Sequence, residues 1–115
     1  MISAQALLAG YVTAGNLADN ALSTATKAAT ANQRHFILGC IADYSAAVAL
    51  IKTVEFKAGG VTLGAPIRWD FSNGPLILAL PGVIHGGDGQ AVSVELQASG
   101  TAGITGRVQL YTFTE

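Results

Sequence analysis

The chain is 115 residues long and carries six Lys and Arg against seven Asp and Glu, so that only 11% of its residues are charged. A soluble domain usually carries about 25%, and an apolar surface with so little charge is normally covered by neighbouring protein. The net charge of −1 and the scattered basic residues exclude a strongly basic nucleic-acid surface, and no uninterrupted run of about 20 apolar residues is present that could span a membrane.

The first 23 residues are rich in Ala, Thr, Asn and Ser and show no clear period. We interpret residues 1–23 as an extended arm that precedes a single sandwich domain at residues 24–115. A fully extended arm of about 20 residues would reach about 65 Å, far enough to hold a neighbouring subunit. A short helix from Ser3 to Ala9, ended by Gly10, is the alternative. The apolar residues expected to make the contact are Leu7, Leu8, Tyr11 and Val12.

Apolar residues occupy both faces of the segment from His35 to Tyr44. From here onward apolar and polar residues alternate and turn residues recur about every ten positions, which predicts β-strands. A strand of an antiparallel sheet normally turns one face to water, so a second segment or subunit is expected to cover Ile37 and Ile41. Cys40, the only cysteine, lies between apolar neighbours, where a buried and unreactive thiol is expected.

A hairpin is predicted between residues 48–57 and 61–69. Even-numbered positions of the first strand are apolar, with Lys52 as the one interruption, and the polar residues between them face outward. The turn Ala58-Gly59-Gly60 allows the positive φ that a tight reversal needs. In the second strand Trp69 shares the parity of the apolar residues and is expected in the core.

The segment Leu76–Leu80 is apolar at every position. We expect Leu76 and Leu78 to belong to a surface that another protein covers, for the same reason as in the preceding two-sided strand. The stretch His85–Gln90 contains one carboxylate and no Lys-Ser or Lys-Thr pair, so it matches neither a calcium loop nor a phosphate-binding loop. A turn built on Asp88-Gly89 explains it better.

The last two strands are predicted at residues 91–98 and 104–113, joined by a Gly-containing hairpin at 99–103. Tyr111 and Phe113 share the outward parity of the polar residues of the last strand, which favours them as surface aromatics. Together these elements predict an all-β fold, an antiparallel β-sandwich or barrel with about seven to eight strands and an N-terminal extended arm.

The sequence contains no clear catalytic or metal-binding constellation. His35 and His85 stand 50 positions apart, with no His-x-His pair, so we expect no metal site. Glu55 and Glu95 could form a glycosidase pair, but each lies on the polar side of a strand, where a solvated carboxylate is the default. We therefore expect no enzymatic activity and no cofactor. The aromatic residues that could instead form a sugar-stacking platform are Trp69, Tyr44, Tyr111 and Phe113.

The layout of residues 24 to 113 resembles that of the small jelly-roll proteins that decorate, or cement, the capsids of tailed bacteriophages. The segments that carry the resemblance are the runs Arg34–Gly39 and Ala42–Ala47, a Lys-Ala-Gly-Gly hairpin, the runs Leu80–Ile84 and Gly87–Val92, and the closing hairpin Ala98–Gly106.

This resemblance implies a structural protein of the virion that is made in the cytoplasm of a bacterial host. It would bind the outer capsid surface as a dimer or trimer, bridge neighbouring major-capsid subunits, and contact neither nucleic acid nor membrane. The alternative is a receptor- or glycan-binding β-sandwich of a tail fibre or head fibre. The residues expected at a protein interface are Leu7, Leu8, Tyr11, Val12, Ile37, Ile41, Leu76, Leu78, Tyr111 and Phe113.

Overall fold

The structure is a computed structural model that describes residues 12–48 and 51–115. Nine β-strands account for most of the described chain, and one short 3₁₀ helix at Phe71–Asn73 interrupts them. The strands are β1 (Val12–Asp19), β2 (Ser23–Lys27), β3 (His35–Tyr44), β4 (Lys52–Ala58), β5 (Val61–Thr62), β6 (Ile67–Trp69), β7 (Leu76–His85), β8 (Val92–Leu96) and β9 (Thr105–Thr114).

The strands form two antiparallel sheets. One sheet has four strands in the order β1-β9-β3-β7, and the other has the order β2-β8-β4-β5, with β6 also paired to β4. The chain passes from one sheet to the other between successive long strands, which is the winding of a jelly roll. Because β5 and β6 lie along the same neighbour, they act as one interrupted edge strand. The predicted antiparallel sandwich of seven to eight strands is therefore confirmed.

The core lies between the two sheets and follows the alternation predicted for the central strands. Inward residues of β4 and β8 are buried, while their neighbours in sequence are partly buried. In β9 the inward Val108 and Leu110 are buried, and so are the two residues that follow Leu110. Lys52 keeps the apolar parity and is itself mostly buried, with its amine near the Gly100 turn. The buried apolar side chains of these strands are Val54, Phe56, Ala58, Val92, Val94, Leu96, Val108 and Leu110.

The predicted strand at 61–69 is broken in its middle. Gly64 has a φ of +70°, which side-chain-bearing residues rarely adopt, and Pro66 has no N–H for a ladder hydrogen bond. Val61, in the two-residue β5 before the break, is 68% exposed, against its predicted inward position. Trp69 does pack against the core, although only partly buried, and its indole N–H donates to the carbonyl of Gly74 over 3.0 Å.

The described part of the predicted arm is a strand of the sandwich. β1 pairs antiparallel with β9 along its whole length, and the carboxylate of Asp19 accepts the backbone N–H of Gly103 over 2.9 Å. The sandwich therefore includes β1, so the boundary predicted at residue 24 is wrong. Apolar and polar residues do not alternate along β1. Backbone hydrogen bonds to β9 hold this strand in the sheet, and such bonds form whatever side chains are present. Leu7, Leu8 and Tyr11, and the alternative helix Ser3–Ala9, lie outside the described residues.

No helix among the described residues has the length and hydropathy needed to cross a membrane. Within the same part of the chain, every fully buried side-chain nitrogen and oxygen has a hydrogen-bond partner.

Candidate functional site

The outer face of the four-stranded sheet is the surface where the two-sided strands were expected to meet a partner. A β-bulge in β3 changes which residues reach it, because the pairing of β3 shifts between Ile37 and Gly39. Ile37 is fully buried in the core, so its prediction as an interface residue is wrong. Leu38 packs on the outer face instead, and Ile41 lies beside it, partly buried.

β7 reverses the predicted assignment of its apolar residues. Leu76 is buried and Leu78, partly buried, packs against the core, so both face inward rather than toward a partner as predicted. Their neighbour Ile77 points outward, 48% exposed, opposite Ile41 of β3. The sequence does not indicate which residues of Leu76–Leu80 face the core, because all five are apolar.

Tyr111 and Phe113 were both predicted to face outward, but only Phe113 is exposed. Tyr111 is 1% exposed and packs with Leu38 and Ile41 in a small cluster on the outer face. Its hydroxyl donates to the side chain of Gln109 over 3.2 Å, and burial, followed by the nearby Cys40, raises the pKa of Tyr111. Phe113 is 48% exposed. Val12, the remaining predicted contact, begins β1, and its side chain lies outside the described set.

Three ring side chains lie in register across three adjacent strands at one end of this face. Phe36 of β3 is the direct partner of His85 of β7 on one side and of Phe113 of β9 on the other. The ring centroids are 5.0 Å apart for Phe36 and His85 and 6.4 Å apart for Phe36 and Phe113, with both pairs tilted by nearly 50°. We call these three residues the aromatic row. His85 and Phe113 are exposed and Phe36 is partly buried.

Two opposite charges lie at one side of the aromatic row. The guanidinium carbon of Arg34 is 5.6 Å from the centre of the Phe36 ring, within the range of a cation–π contact. The same guanidinium lies 3.5 Å from the carboxylate of Asp88, and both side chains are well exposed. A ligand on the row would thus meet rings, five guanidinium N–H donors and a carboxylate acceptor within one small area.

The loop that follows β7 holds Asp88 in this position. Gly86 donates to the carbonyl of His35 and Gly89 donates to the carbonyl of Gln33, over 3.1 and 2.8 Å. Gln90 closes the turn, since its backbone N–H donates to the carbonyl of Gly87 and its side-chain oxygen accepts the N–H of Gly87. Gly89 has a φ of +69°. The predicted Asp-Gly turn is thus confirmed, but His85 ends β7 rather than lying in the loop.

His35 is a structural residue at the base of this region. Its imidazole is fully buried; Nε2 donates to the carbonyl of Ala28 over 2.8 Å, and Nδ1 lies 2.7 Å from the hydroxyl of Thr114. Because a carbonyl can only accept, Nε2 carries a proton. The ring ties the segment after β2 to the last strand. Among the described residues, no three His, Cys, Asp or Glu side chains come close enough to hold a metal ion.

The two glutamates considered as a catalytic pair are closer together than expected. Glu55 and Glu95 are directly opposite on β4 and β8 and line a shallow groove of about 330 Å³ on the outer face of the other sheet. Each carboxylate has its own partner, Lys57 at 3.0 Å from Glu95 and the hydroxyl of Thr62 at 3.3 Å from Glu55. Lys57 offsets the repulsion of two like charges in a cross-strand pair. The hydrogen bond to Glu95 is the main reason why the pKa of Lys57 is raised.

The other residues considered for chemistry or stacking are engaged inside the fold. Cys40 is fully buried, as predicted, and burial raises its pKa to about 12, so a thiolate nucleophile is absent near neutral pH. The hydroxyl of Tyr44 donates to the carbonyl of Gln97 over 2.5 Å, and its ring meets Phe71 edge-on. Partial burial raises the pKa of Tyr44 to about 12.

Comparison with known proteins yields structural similarity alone. No known protein family and no curated protein matches this chain. Solved structures that are similar include a sugar-binding protein, the EclA C-terminal domain, at 16% identity and a TM-score of 0.46, covering 92% of this chain and 71% of that one. A carbohydrate-binding module, CBM36 in complex with calcium and xylotriose, has 16% identity and a TM-score of 0.41, covering 88% and 76%.

A third similar structure is an active-site mutant of a family two carbohydrate esterase from Clostridium thermocellum, at 10% identity and a TM-score of 0.41. The match covers 86% of this chain and 25% of the esterase chain. Similarity at this level does not extend to individual binding residues.

Sequence reasoning found Phe113 but missed Phe36 and His85. Both lie within segments that the sequence identified, yet nothing in either segment says which strand lies beside it. Alternation along β3 could have placed Phe36 on the outer face, but this strand is apolar on both faces, so its alternation is not clear from the sequence. The aromatic row exists because β3 is hydrogen-bonded between β7 and β9.

Proposed function

We propose that this protein is a non-catalytic binding module that recognises a glycan on the aromatic row. The single observation that carries the proposal is the register of Phe113, Phe36 and His85, which places three rings side by side on an exposed sheet face. The face of an aromatic ring is electron-rich, and the C–H groups on one side of a pyranose ring are weakly positive, so the two surfaces attract as they exclude water.

The charged residues beside the aromatic row can fix the orientation of a bound sugar, which ring stacking alone does not determine. Arg34 can donate hydrogen bonds to sugar hydroxyl oxygens, and Asp88 can accept hydrogen bonds from sugar hydroxyl groups. The guanidinium of Arg34 lies over the Phe36 ring, and the carboxylate of Asp88 lies beside that guanidinium. A saccharide stacked on Phe36 and Phe113 would thus be oriented by one donor group and one acceptor group.

The test is binding of the wild-type protein to a glycan array, followed by titration of the best ligand into variants. Phe113→Ala is expected to weaken binding at least about tenfold, because a well-placed aromatic contact is worth about 1 kcal/mol or more. Phe113→Trp keeps a ring face and should retain binding. Ile77→Ala is the matched control, since Ile77 is equally exposed, at 48%, on the same sheet face but lies away from the row.

Two results would overturn the proposal. The first is a wild-type protein that binds no glycan on a broad array. The second is glycan binding that Phe113→Ala and Ile77→Ala weaken equally, since contact would then not depend on the row. Unfolding curves of all variants show whether a loss of binding reflects a loss of fold.

A capsid-decoration protein is the second candidate function. It is favoured by large apolar side chains left exposed on the outer strands, among them Leu17 and Ile77 on the two edge strands of the four-stranded sheet. Apolar contact contributes roughly 25 cal/mol per Å² buried, and several modest contacts to one shell add up through effective concentration. Co-sedimentation with mature phage capsids, and lower heat tolerance of shells that lack the protein, would support this function.

A further inference from the structure

The outer edge of β1 is the longest open sheet edge among the described residues that contains neither a charged Lys or Arg nor a Pro. Its sequence is VTAGNLAD, with Asp19 as the one charge at the end. Natural proteins normally protect such an edge with lysine, proline or a very short strand, because unpaired backbone groups attract another strand. β1 lacks these features along Ala14–Ala18.

The other edges of the sandwich are protected. β7, at the far side of the same sheet, contains Pro81, which has no N–H to donate, and its pairing with β3 is irregular. In the other sheet, β5 and β6 have two and three residues, and β2 has five residues and ends at Lys27. Among the described strands, β1 therefore has the least protected outer edge.

The hydrogen bonds of β1 show which groups are free for a second strand. Asn20 donates to the carbonyl of Ile104, so residues 20, 18 and 16 direct their backbone groups toward β9. By the same alternation, Gly15, Leu17 and Asp19 direct their N–H and C=O groups away from β9. Among the described residues, no strand pairs with this side.

We propose that two copies of this chain associate by antiparallel pairing of their β1 strands, with Leu17 of one copy opposite Leu17 of the other. In this register Gly15 of each copy lies opposite Asp19 of the other, so that all three residues exchange backbone hydrogen bonds and the aspartates never face each other. The two four-stranded sheets become one continuous sheet of eight strands.

Exposure of Leu17 supports this register over its alternatives. The side chain is 66% exposed on the outer face of β1, next to Arg107, which pairs with Asp43 over 2.7 Å. Opposite Leu17 of a second copy, this isobutyl group would be covered by its counterpart, while the glycine and aspartate on either side leave room. The side chains of a directly opposed pair are close enough for packing or for charge repulsion.

Such a dimer has a consequence for binding. A two-fold axis perpendicular to the joined sheet places both outer faces on the same side, so both aromatic rows face one surface. Two sites on one rigid particle raise the effective concentration for the second contact with a repetitive polymer or shell. The dimer itself does not depend on the ligand of the row, because β1 lies at the edge of the sheet and the row does not include it.

The test is sedimentation equilibrium of the full chain at increasing concentration, where the expected mass is about twice the monomer mass of 11.7 kDa. Leu17→Lys and Leu17→Asp should each weaken association at least about tenfold, because like charges then face each other across the axis. An equimolar mixture of the two variants should restore the dimer, since lysine then faces aspartate. Ile77→Lys, on the opposite edge strand, is the matched control and should leave association unchanged.

A wild-type chain that stays monomeric at all concentrations would overturn the inference. A dimer that resists both Leu17 variants, or a mixture that fails to recover, would place the contact elsewhere and overturn it equally. Because Leu17 is exposed, the variants should keep the fold, and circular dichroism spectra and melting curves verify this.

Discussion

At the scale of single residues, the buried imidazole of His35 joins parts of the chain that are far apart in sequence. Its two nitrogens reach the carbonyl of Ala28, just after β2, and the hydroxyl of Thr114, at the end of β9. The imidazole itself is fully buried, whereas Ala28 is exposed and Thr114 is partly buried. Hydrogen bonding, rather than chemistry, accounts for a histidine at this position.

We expect His35→Ala to lower the free energy of unfolding by about 2 kcal/mol, since two hydrogen bonds of about 0.5–1.5 kcal/mol each are lost and the fully buried ring leaves a cavity. Urea denaturation at neutral pH measures the difference. His85→Ala is the control, because its exposed ring should change stability by no more than about 0.5 kcal/mol. Equal effects of the two substitutions would contradict the structural role of His35.

At the scale of elements, the pairing of β4 with β8 combines an apolar inner face with a charged outer face. Glu55 and Glu95 are direct neighbours on the outer face, and Lys57 reaches the second of them. The raised pKa of Lys57 means that its ammonium is more favoured in the folded chain than in the unfolded one. Its contribution to stability is complete below pH 10.5, the unfolded pKa, and is lost as pH rises through the higher folded pKa.

Lys57→Met should therefore destabilise the protein at pH 7, and the difference from wild type should shrink as the pH passes above 10.5. Thermal unfolding over a series of pH values measures it. Lys27→Met is the matched control, because none of the ion pairs found among the described residues includes Lys27. A difference that stays constant up to high pH would show that packing of the lysine stem, and not its charge, is responsible.

In β3 the side chains that face the core could not be predicted from the alternation of apolar and polar residues. The sequence correctly places a strand at His35–Tyr44, but the bulge at Leu38 inserts one residue on one side of the ladder. The residues that face the core have odd numbers before the bulge and even numbers after it. Ile37 therefore faces the core, while Leu38 packs on the outer face. A bulge depends on the backbones of the two neighbouring strands, which the local sequence does not specify.

At the scale of the whole molecule, the first described strand completes the sandwich at one edge of the four-stranded sheet. β1 covers the side of β9 that faces away from β3, and the hydroxyl of Ser23 on β2 donates to the carbonyl of Asn16, which links the two sheets at this edge. The segment that was expected to be an independent arm therefore contributes to the stability of the domain.

A chain that begins at Ala21 lacks β1 and should lose on the order of 3 kcal/mol of stability, since a backbone hydrogen bond contributes about 0.5–1.5 kcal/mol and several are removed. A chain that begins at Val12 keeps every described strand and is the control. Chemical denaturation compares the two. Equal midpoints would show that β1 pairs with β9 too weakly to matter, and would argue for an arm that acts outside the sandwich.

By itself, the sequence determined the fold class, the inward residues of β4 and β8, the turn at Asp88-Gly89 and the unreactive position of Cys40. Each of these follows from a local rule, either the two-residue period of a strand or the conformational preference of a turn residue. Only the tertiary structure decided that Phe36, His85 and Phe113 form one row and that β1 is an edge strand among the strands described. Strand order and register arise from backbone pairing between distant segments, and backbone groups are the same whatever side chains they carry.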